Sequence, residues 1–299
     1  PKRLLYVGKG PGRVQLRLAS YLTSNVKDRI KYAALSHCWG AEDTVLKTCK
    51  ANLDNHLAGF SDALLPPTFL DAVVMTRELG LRYLWIDSLC IVQDDSADFE
   101  QECARMNIVY KNAVITFSAS DAHDCIEGLF APRTLQLVPL VWSPLQKRAW
   151  VLQEREFSPR IVHYTKRCLM WECRLTVASE YKTRQEQKDA SNTRHYKSLR
   201  NYNWYQMIEQ YSDRELTVPE DRLPAIAGLA AEWQQRNPGE EYLAGLWKSD
   251  IIHGLLWLTM GSAHKGVNTA KTVDSWPPPS KYKGVPSWSW ASYDGQVYF

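Results

Sequence analysis

The first half of the chain alternates between apolar runs and amphipathic stretches. Three apolar runs are long enough and continuous enough to predict buried strands: 32–35, 84–92 and 114–117. Apolar positions at helical spacing predict helices from Pro67 to about Leu79 and from Ser96 to Ala113. Thr68 and Asp71 are spaced as a capping box at the start of the first helix. This alternation predicts an α/β fold, a parallel sheet flanked by helices.

The same pattern continues past Pro144 and then changes. Residues 148–154 predict a short helix, and 161–164 and 168–173 predict two further strands. From 181 to 200 the chain is rich in Lys, Arg, Gln, Asn and Ser, which is typical of a linker or long loop.

The last third of the chain has a mainly helical pattern. Two amphipathic helices are predicted, at about 199–211 and 221–236, and Trp288 and Trp290 alternate with serines like the edge of a sheet. We therefore predict a domain over residues 1–180 and a helical extension over 181–299 that packs on it.

Composition excludes several classes of protein. With 45% hydrophobic residues, 23% charged residues and a net charge of +3, the chain is neither disordered nor a dedicated nucleic-acid binder. Its longest mostly apolar stretch, 251–260, is far shorter than the ~20 residues of a membrane span. Twelve Trp and 15 Tyr outnumber 7 Phe, so the aromatic rings favour half-buried walls and ligand clefts, where a polar handle finds a partner.

The cysteines indicate the compartment and argue against zinc. There are seven, and none of them forms a C-x-x-C pair, so we expect no metal site. Several lie inside apolar runs, where a free thiol behaves as a small hydrophobe. This usage fits a reducing compartment, and we expect the protein to be cytoplasmic.

Polar candidates cluster where the first two predicted strands end. Ligands of open α/β sheets bind at the carboxyl ends of the strands, so these residues are expected to line a cleft. They are Ser36, His37, Trp39 and Gly40 after the first strand, and Asp87, Cys90 and Gln93 around the second. The alternative is that single residues such as Asp87 and Gln93 only tie loops together.

A cysteine nucleophile is a weaker alternative at the same place. His37 and Cys38 are adjacent, and neighbours on a strand point to opposite faces, so they do not readily form a dyad. A histidine from elsewhere, such as His163, would have to complete one.

The segment 148–156 offers a carboxylate beside an indole. Trp150, Gln153 and Glu154 share one helical face, so Glu154 is expected to be partly desolvated, with Arg148 available to orient a phosphate. The alternative is a surface helix in which Glu154 pairs with an ordinary arginine. Glu100 and Glu102 are interpreted as a solvated face. No phosphate-binding loop, dinucleotide fingerprint or zinc-protease motif is present.

Five ordered blocks resemble the fungal heterokaryon incompatibility (HET) domain. They are 32–40 (YAALSHCWG), 84–94 (LWIDSLCIVQD), 106–113 (MNIVYKNA), 128–133 (GLFAPR) and 148–154 (RAWVLQE). Two later stretches, Asp221–Leu223 and Pro286–Trp290, look like the tail common in fungal proteins of this family.

The resemblance implies a fold and an activity. HET domains are related to Toll/interleukin-1 receptor (TIR) domains, which implies a flavodoxin-like sheet and a role in regulated cell death and innate immunity. Some TIR domains hydrolyse NAD with a glutamate on a short helix after a Trp-containing motif. By that likeness Glu154 is the catalytic residue, and the loop 36–40 lines the nucleotide cleft. From their positions in the predicted fold, we expect Asp87, Cys90, Gln93, Arg148 and Trp150 to bind the substrate as well.

The predicted function is therefore an NAD(P) glycohydrolase that acts as an effector of incompatibility. One glutamate suffices, because nicotinamide leaves as a neutral base; NAD is the substrate, and neither a metal nor a cofactor is needed. We expect homo-oligomers in the active state and protein partners in incompatibility signalling. The alternatives are a non-catalytic oligomerisation module and a HET-like protein acting on another small molecule.

Overall fold

The structure is a computed structural model, and two compact units are distinguished in it. It describes residues 1–22, 30–41, 45–134, 140–181, 203–259 and 284–299. The first unit takes Pro1–Gln146 and Glu154–Tyr196, and the second takes Lys147–Gln153 and Lys197–Phe299. The boundary predicted after residue 180 stays a prediction, and almost all of the predicted linker lies outside the described residues.

The described part of the first unit contains a mixed sheet of nine strands. In chain order they are β1 (Arg3–Tyr6), β2 (Arg13–Leu18), β3 (Tyr32–Ser36), β4 (Phe60–Ser61), β5 (Tyr83–Trp85), β6 (Ile115–Ser118), β7 (Arg160–Tyr164), β8 (Leu169–Cys173) and β9 (Val177–Ser179). Across the sheet the order is β4-β2-β1-β5-β3-β6-β7-β8-β9. The predicted α/β class is confirmed.

The parallel part of the sheet is its centre. β5, β3, β6 and β7 run parallel, whereas β1, β2 and β4 on one side and β8 and β9 on the other are antiparallel. Parallel neighbours need a long crossover, and the chain supplies helices for it. The outer strands β8 and β9 are reached by short loops, which join antiparallel neighbours.

Six helices accompany the sheet in the described residues of the chain up to β7. They are α1 (Leu53–Ala58), α2 (Pro67–Glu78), α3 (Asp87–Cys90), α4 (Ser96–Cys103), α5 (Met106–Asn112) and α6 (Ala149–Phe157). β3 and β6 are buried along their whole length, as expected for strands at the centre of a sheet covered on both faces.

Two predictions of element boundaries were wrong. The apolar run 84–92 is not one strand: β5 ends at Trp85 and the helical turn α3 follows. A short apolar run fits a buried helical turn as well as a strand, so periodicity alone does not separate them. The helix predicted from Ser96 to Ala113 is interrupted, because α4 ends at Cys103 and α5 starts at Met106.

The capping box predicted for α2 is also wrong. The N-cap is Pro66, which has no side-chain cap. Thr68 Oγ1 instead accepts a hydrogen bond from the backbone N–H of Gly128 (3.1 Å), and Asp71 Oδ2 accepts one from that of Leu129 (2.7 Å). The start of α2 therefore anchors a loop sixty residues further along the chain.

The second unit combines helices with a small hairpin, and its helical content is modest. Its described elements beyond α6 are α7 (Trp204–Ser212), α8 (Pro224–Arg236), the hairpin of β10 (Tyr242–Leu243) and β11 (Leu246–Trp247), α9 (Ile251–Gly254) and a 3₁₀ turn at Trp290–Ser292. The strand edge predicted around Trp288 is wrong. Ser289 Oγ accepts from the N–H of Ala291 (3.0 Å) and starts the 3₁₀ turn there.

The turn of the hairpin organises the aromatic residues of this unit. Ala244 and Gly245 both have positive φ (44° and 99°), as a two-residue hairpin turn requires. The Gly245 carbonyl accepts from the indole N–H of Trp204 (2.7 Å) and of Trp290 (3.1 Å). A Cβ at Gly245 would lie 2.5 Å from Trp290 Nε1, so glycine is required for the close approach as well as for the turn.

Three general features concern the described residues. No helix among them has the length and apolar character of a membrane span. No group of three or more His, Cys, Asp or Glu side chains is placed to hold a metal ion in this part of the chain. The seven cysteines all lie within it, and none of them forms a disulfide there.

Candidate functional site

The ends of β3 and β5 bring three of the predicted residues together. Trp39 Nε1 donates a hydrogen bond to Asp87 Oδ2 (2.8 Å), and His37 Nδ1 lies 3.7 Å from Asp87 Oδ1. The His37 ring is buried and packs edge-on against Phe69, with 4.8 Å between ring centroids. Asp87 Oδ1 also accepts from the N–H of Ser88 (2.8 Å). The Asp87 carboxylate is thus the hub of this site.

Gln93 holds the segment around Asp87, and Cys90 is buried within it. The side-chain amide of Gln93 donates to the carbonyls of Asp87 and Ile91 (3.2 Å each). Cys90 is completely buried, and burial raises the pKa of its thiol to about 12. Such a thiol stays protonated and is a poor nucleophile. The Gln93 side chain thus ties the loop together, in line with the alternative stated for it, and Cys90 belongs to the buried core.

Ser36 and Gly40 contribute mainly through the backbone. The carbonyl of Ser36, a buried residue, accepts from the N–H of Ala119 (2.9 Å). Gly40 has φ 79°, and a Cβ there would come within 2.4 Å of Asp124 Cβ. Only glycine permits this approach.

Glu154 is buried within the first unit. It is 6% exposed, and its Oε2 accepts a hydrogen bond from the hydroxyl of Tyr110 (3.0 Å). The same hydroxyl lies 3.2 Å from the carbonyl oxygen of Leu35, next to the last residue of β3. Tyr110 therefore bridges the carboxylate and the end of the strand. The sequence suggested Tyr110 only as part of an apolar stripe.

Two interpretations of acidic residues as surface groups are corrected by burial. The expected alternative of an exposed Glu154–arginine pair fails, because Glu154 is buried and the neighbouring Arg155 pairs with Glu172 (2.9 Å). Glu102, interpreted as part of a solvated face, is 0% exposed and accepts from the backbone N–H of Lys2 (3.0 Å). The N-terminal segment covers it, which helical spacing does not reveal.

Arg148 and Trp150 belong to the second unit. Trp150 Nε1 donates to Asp221 Oδ2 (3.1 Å), and burial raises the pKa of Asp221. The carbonyl of Arg148 accepts from Arg214 (3.3 Å). Both residues thus have partners in their own unit, and their role in substrate binding stays a prediction.

The sequence analysis missed a buried network of polar side chains at the ends of β6 and β7. His163 Nδ1 lies 3.1 Å from Ser120 Oγ, and His163 Nε2 lies 2.9 Å from Glu172 Oε2. Burial lowers the pKa of His163. Burial would raise the pKa of Glu172, but Arg155 and His163 outweigh it and hold the pKa at about 2. Both His163 nitrogens are thereby engaged, which removes it as the partner for a cysteine nucleophile.

One comparison with known proteins gave a match. Residues 32–140 match the family model described as Heterokaryon incompatibility protein (HET). No curated protein and no solved structure matched the chain. The matched stretch contains β3, β5 and β6 with His37, Trp39 and Asp87, and Glu154 lies beyond its end. The resemblance stated from the sequence is thus confirmed over residues 32–140: this stretch matches the HET family, and such a domain implies involvement in heterokaryon incompatibility.

Proposed function

We propose that the protein is an effector of heterokaryon incompatibility that hydrolyses NAD or NADP. The bond between nicotinamide and ribose breaks with its electron pair leaving on the pyridine nitrogen. A water oxygen bonds to the ribose carbon and the water releases a proton, so the products are nicotinamide and ADP-ribose or its phosphate.

The observation that carries this proposal is the setting of Glu154. Its carboxylate is buried, and Tyr110 joins it to the end of β3, the part of an α/β sheet at which ligands bind. A carboxylate shielded from water interacts strongly with a developing positive charge. We propose that Glu154 stabilises the cation-like ribose of the transition state.

The departure of nicotinamide needs little help from the protein. The pyridinium ring carries a positive charge before cleavage and becomes neutral as it leaves, so no general acid is required. The oxocarbenium-like transition state is that of glycosyl transfer in general. One carboxylate and a positioned ribose are then a sufficient machinery.

The cluster of His37, Trp39 and Asp87 is the proposed binding surface for the nucleotide. Trp39 is partly exposed and is oriented by Asp87, so its ring is available for stacking on nicotinamide or adenine. The Asp87 side chain keeps 20% of its surface exposed, which suits a hydrogen bond to a ribose hydroxyl.

A specific observation also favours the non-catalytic alternative. Glu154 has little exposed surface, and its carboxylate already has a phenol donor. In that alternative Glu154 anchors α6 to the sheet, and the domain works by oligomerisation or partner binding.

The deciding experiment follows nicotinamide release from NAD and NADP by chromatography, with dilute and with concentrated protein. The proposal expects turnover that falls at least a hundredfold in Glu154→Gln, which keeps the shape and the acceptor for Tyr110. Glu156→Gln, the same change on the same helix, is the matched control and should stay active.

Each result has a defined meaning. If the wild-type protein releases no nicotinamide at any concentration, the enzymatic function is refuted and the interaction module is left. If Glu154→Gln is as active as the wild type, the activity stands but Glu154 is not its catalytic carboxylate.

A further inference from the structure

The second unit contains a cavity of about 200 Å³ that is lined by aromatic and polar residues. The first turn of α7, the end of α8 and the hairpin strand β11 contribute to it. Its aromatic lining residues are Trp204, Tyr205, Trp233 and Trp247. Ligand pockets for drug-sized molecules have volumes of ~300–1,000 Å³. This cavity is smaller, so it is suited to one small group.

The rings around the cavity are fixed by one another and by the hairpin. The Trp204 ring centroid lies 5.3 Å from that of Trp247 and 6.1 Å from that of Trp233. Trp233 and Trp247 are nearly parallel, at 26° with 6.4 Å between centroids. The Gly245 carbonyl holds the indole N–H of Trp204. Trp204 and Trp247 are buried, so a ligand would mainly meet the partly exposed ring of Trp233, which these two rings hold in place. A ring that is already fixed reduces the entropic cost of binding.

The charge of the lining is acidic. Glu240 and Asp250 both line the cavity, and neither Lys nor Arg is among its described lining residues. Glu240 accepts from the hydroxyl of Ser249 (2.8 Å) and has no basic partner among the described residues. Asp250 lies 3.3 Å from His253 Nδ1, and both side chains are about half exposed. Two carboxylates beside indoles favour a cation.

The wall also carries a hydrogen-bond donor without a partner. Trp247 is 4% exposed, and its indole N–H has no acceptor among the described residues. Buried donors in native proteins are nearly always paired, so this N–H is an unsatisfied group within the wall of the cavity.

We propose that this cavity binds the methylated ammonium group of an organic cation. Indole surfaces attract such a diffuse charge, whereas an unmethylated ammonium is strongly hydrated and would lose its water shell without enough acceptors in return. The group is either that of a free choline-like or betaine-like molecule or that of a methylated lysine in a peptide.

The test is titration calorimetry of the full chain with choline, betaine and a short trimethyllysine peptide. The control ligand is 3,3-dimethylbutanol, which has the shape of choline without its charge, and the control peptide carries unmodified lysine. We expect each methylated cation to bind at least tenfold tighter than its control. If the peptide binds more tightly than both choline and betaine, the ligand is a methylated lysine of a protein. If the small molecules bind more tightly than the peptide, the ligand is a free metabolite.

Matched variants distinguish binding in the cavity from binding to the surface around it. Glu240→Gln removes a lining charge and should weaken binding about fivefold, while Glu241→Gln alters the adjacent carboxylate, which pairs with Lys248, and should leave binding unchanged. Trp233→Leu, at a partly exposed ring, should abolish binding.

Three outcomes overturn the proposal: no methylated cation binds, 3,3-dimethylbutanol binds as tightly as choline, or Trp233→Leu binds like the wild type while retaining its circular dichroism spectrum. None of them bears on nicotinamide release, so this proposal and the proposed enzymatic function fail separately.

Discussion

The site at the strand ends of the first unit and the cavity of the second differ in how their polar atoms are satisfied. Asp87 accepts from an indole and a backbone N–H, and Glu154 accepts from a phenol. In the cavity, Glu240 has only a hydroxyl donor, and the Trp247 N–H has no partner among the described residues.

This difference determines how much binding free energy a ligand gains from contacts with these polar atoms. At the first site, a ligand that takes Asp87 or Glu154 must first break an existing hydrogen bond, so it gains only the difference between two contacts. At the cavity, a cationic ligand supplies the charged partner that Glu240 lacks among the described residues. The chemistry proposed for the first site therefore requires a rearrangement first, whereas the binding proposed for the cavity does not break a hydrogen bond of the protein.

The largest effect is expected where the hairpin holds the cavity's rings. Gly245→Ala puts a methyl group against Trp290 at positive φ and should cost about 3 kcal/mol of unfolding free energy. Urea unfolding followed by tryptophan fluorescence measures it. The same variant should also lose binding of methylated cations.

Gly239→Ala is the control for the backbone conformation. Gly239 has φ 92° with nothing within 4 Å of an added Cβ, so it should lose only about 1 kcal/mol. Equal losses in the two variants would mean that the contact with Trp290 contributes nothing and that the rings are not held as described.

The first unit should be sensitive to acid through Glu172. Its pKa of about 2 lies below the usual 4.5, so its stabilisation is complete above about pH 4.5 and is lost as the pH falls towards 2. Glu172→Gln should cost about 2 kcal/mol at neutral pH, and this difference from the wild type should shrink below pH 4.5. Unfolding free energies measured across this pH range test it.

Two comparisons make the acid result specific. His163, whose pKa is lowered by burial, favours its neutral form, so its contribution to stability falls as the pH drops below 6.5. Because Glu172 raises the pKa of His163, this fall is larger in Glu172→Gln and has to be separated by measuring from pH 7 downwards. Glu180→Gln alters a more exposed ion pair with Arg133 and should leave the acid profile unchanged. If the difference in unfolding free energy between Glu172→Gln and the wild type were constant at all pH values, the carboxylate of Glu172 would not stabilise the fold through its ion pair.

The local pattern of apolar and polar residues was sufficient to predict elements at the centre of the first unit. The apolar runs at 32–35 and 114–117 became β3 and β6, and the helical period after Pro67 became α2. Polar residues at the ends of β3 and β5 meet because neighbouring parallel strands end at the same edge. Each of these inferences needs only residues close in sequence and one rule of sheet topology.

Long-range contacts account for what the pattern did not reveal. Thr68 and Asp71 are spaced for a cap but bind a loop at Gly128, and Tyr110 looks apolar until its hydroxyl meets Glu154. The cavity is assembled from indoles at 204, 233 and 247, each of which fits a local helix or strand pattern. Their convergence depends on the turn at Ala244 and Gly245.

The smallest expected effect, that of Glu240→Gln, is the sharpest test of the difference between the two sites. Glu240→Gln should change the unfolding free energy by less than about 0.5 kcal/mol, because the amide oxygen still accepts from Ser249 and no basic partner among the described residues is lost. Urea unfolding beside Glu172→Gln measures it. A carboxylate that stabilises the fold is costly to remove, and one kept for a ligand is not. A loss near that of Glu172→Gln would make Glu240 a structural residue and remove the difference between the two sites.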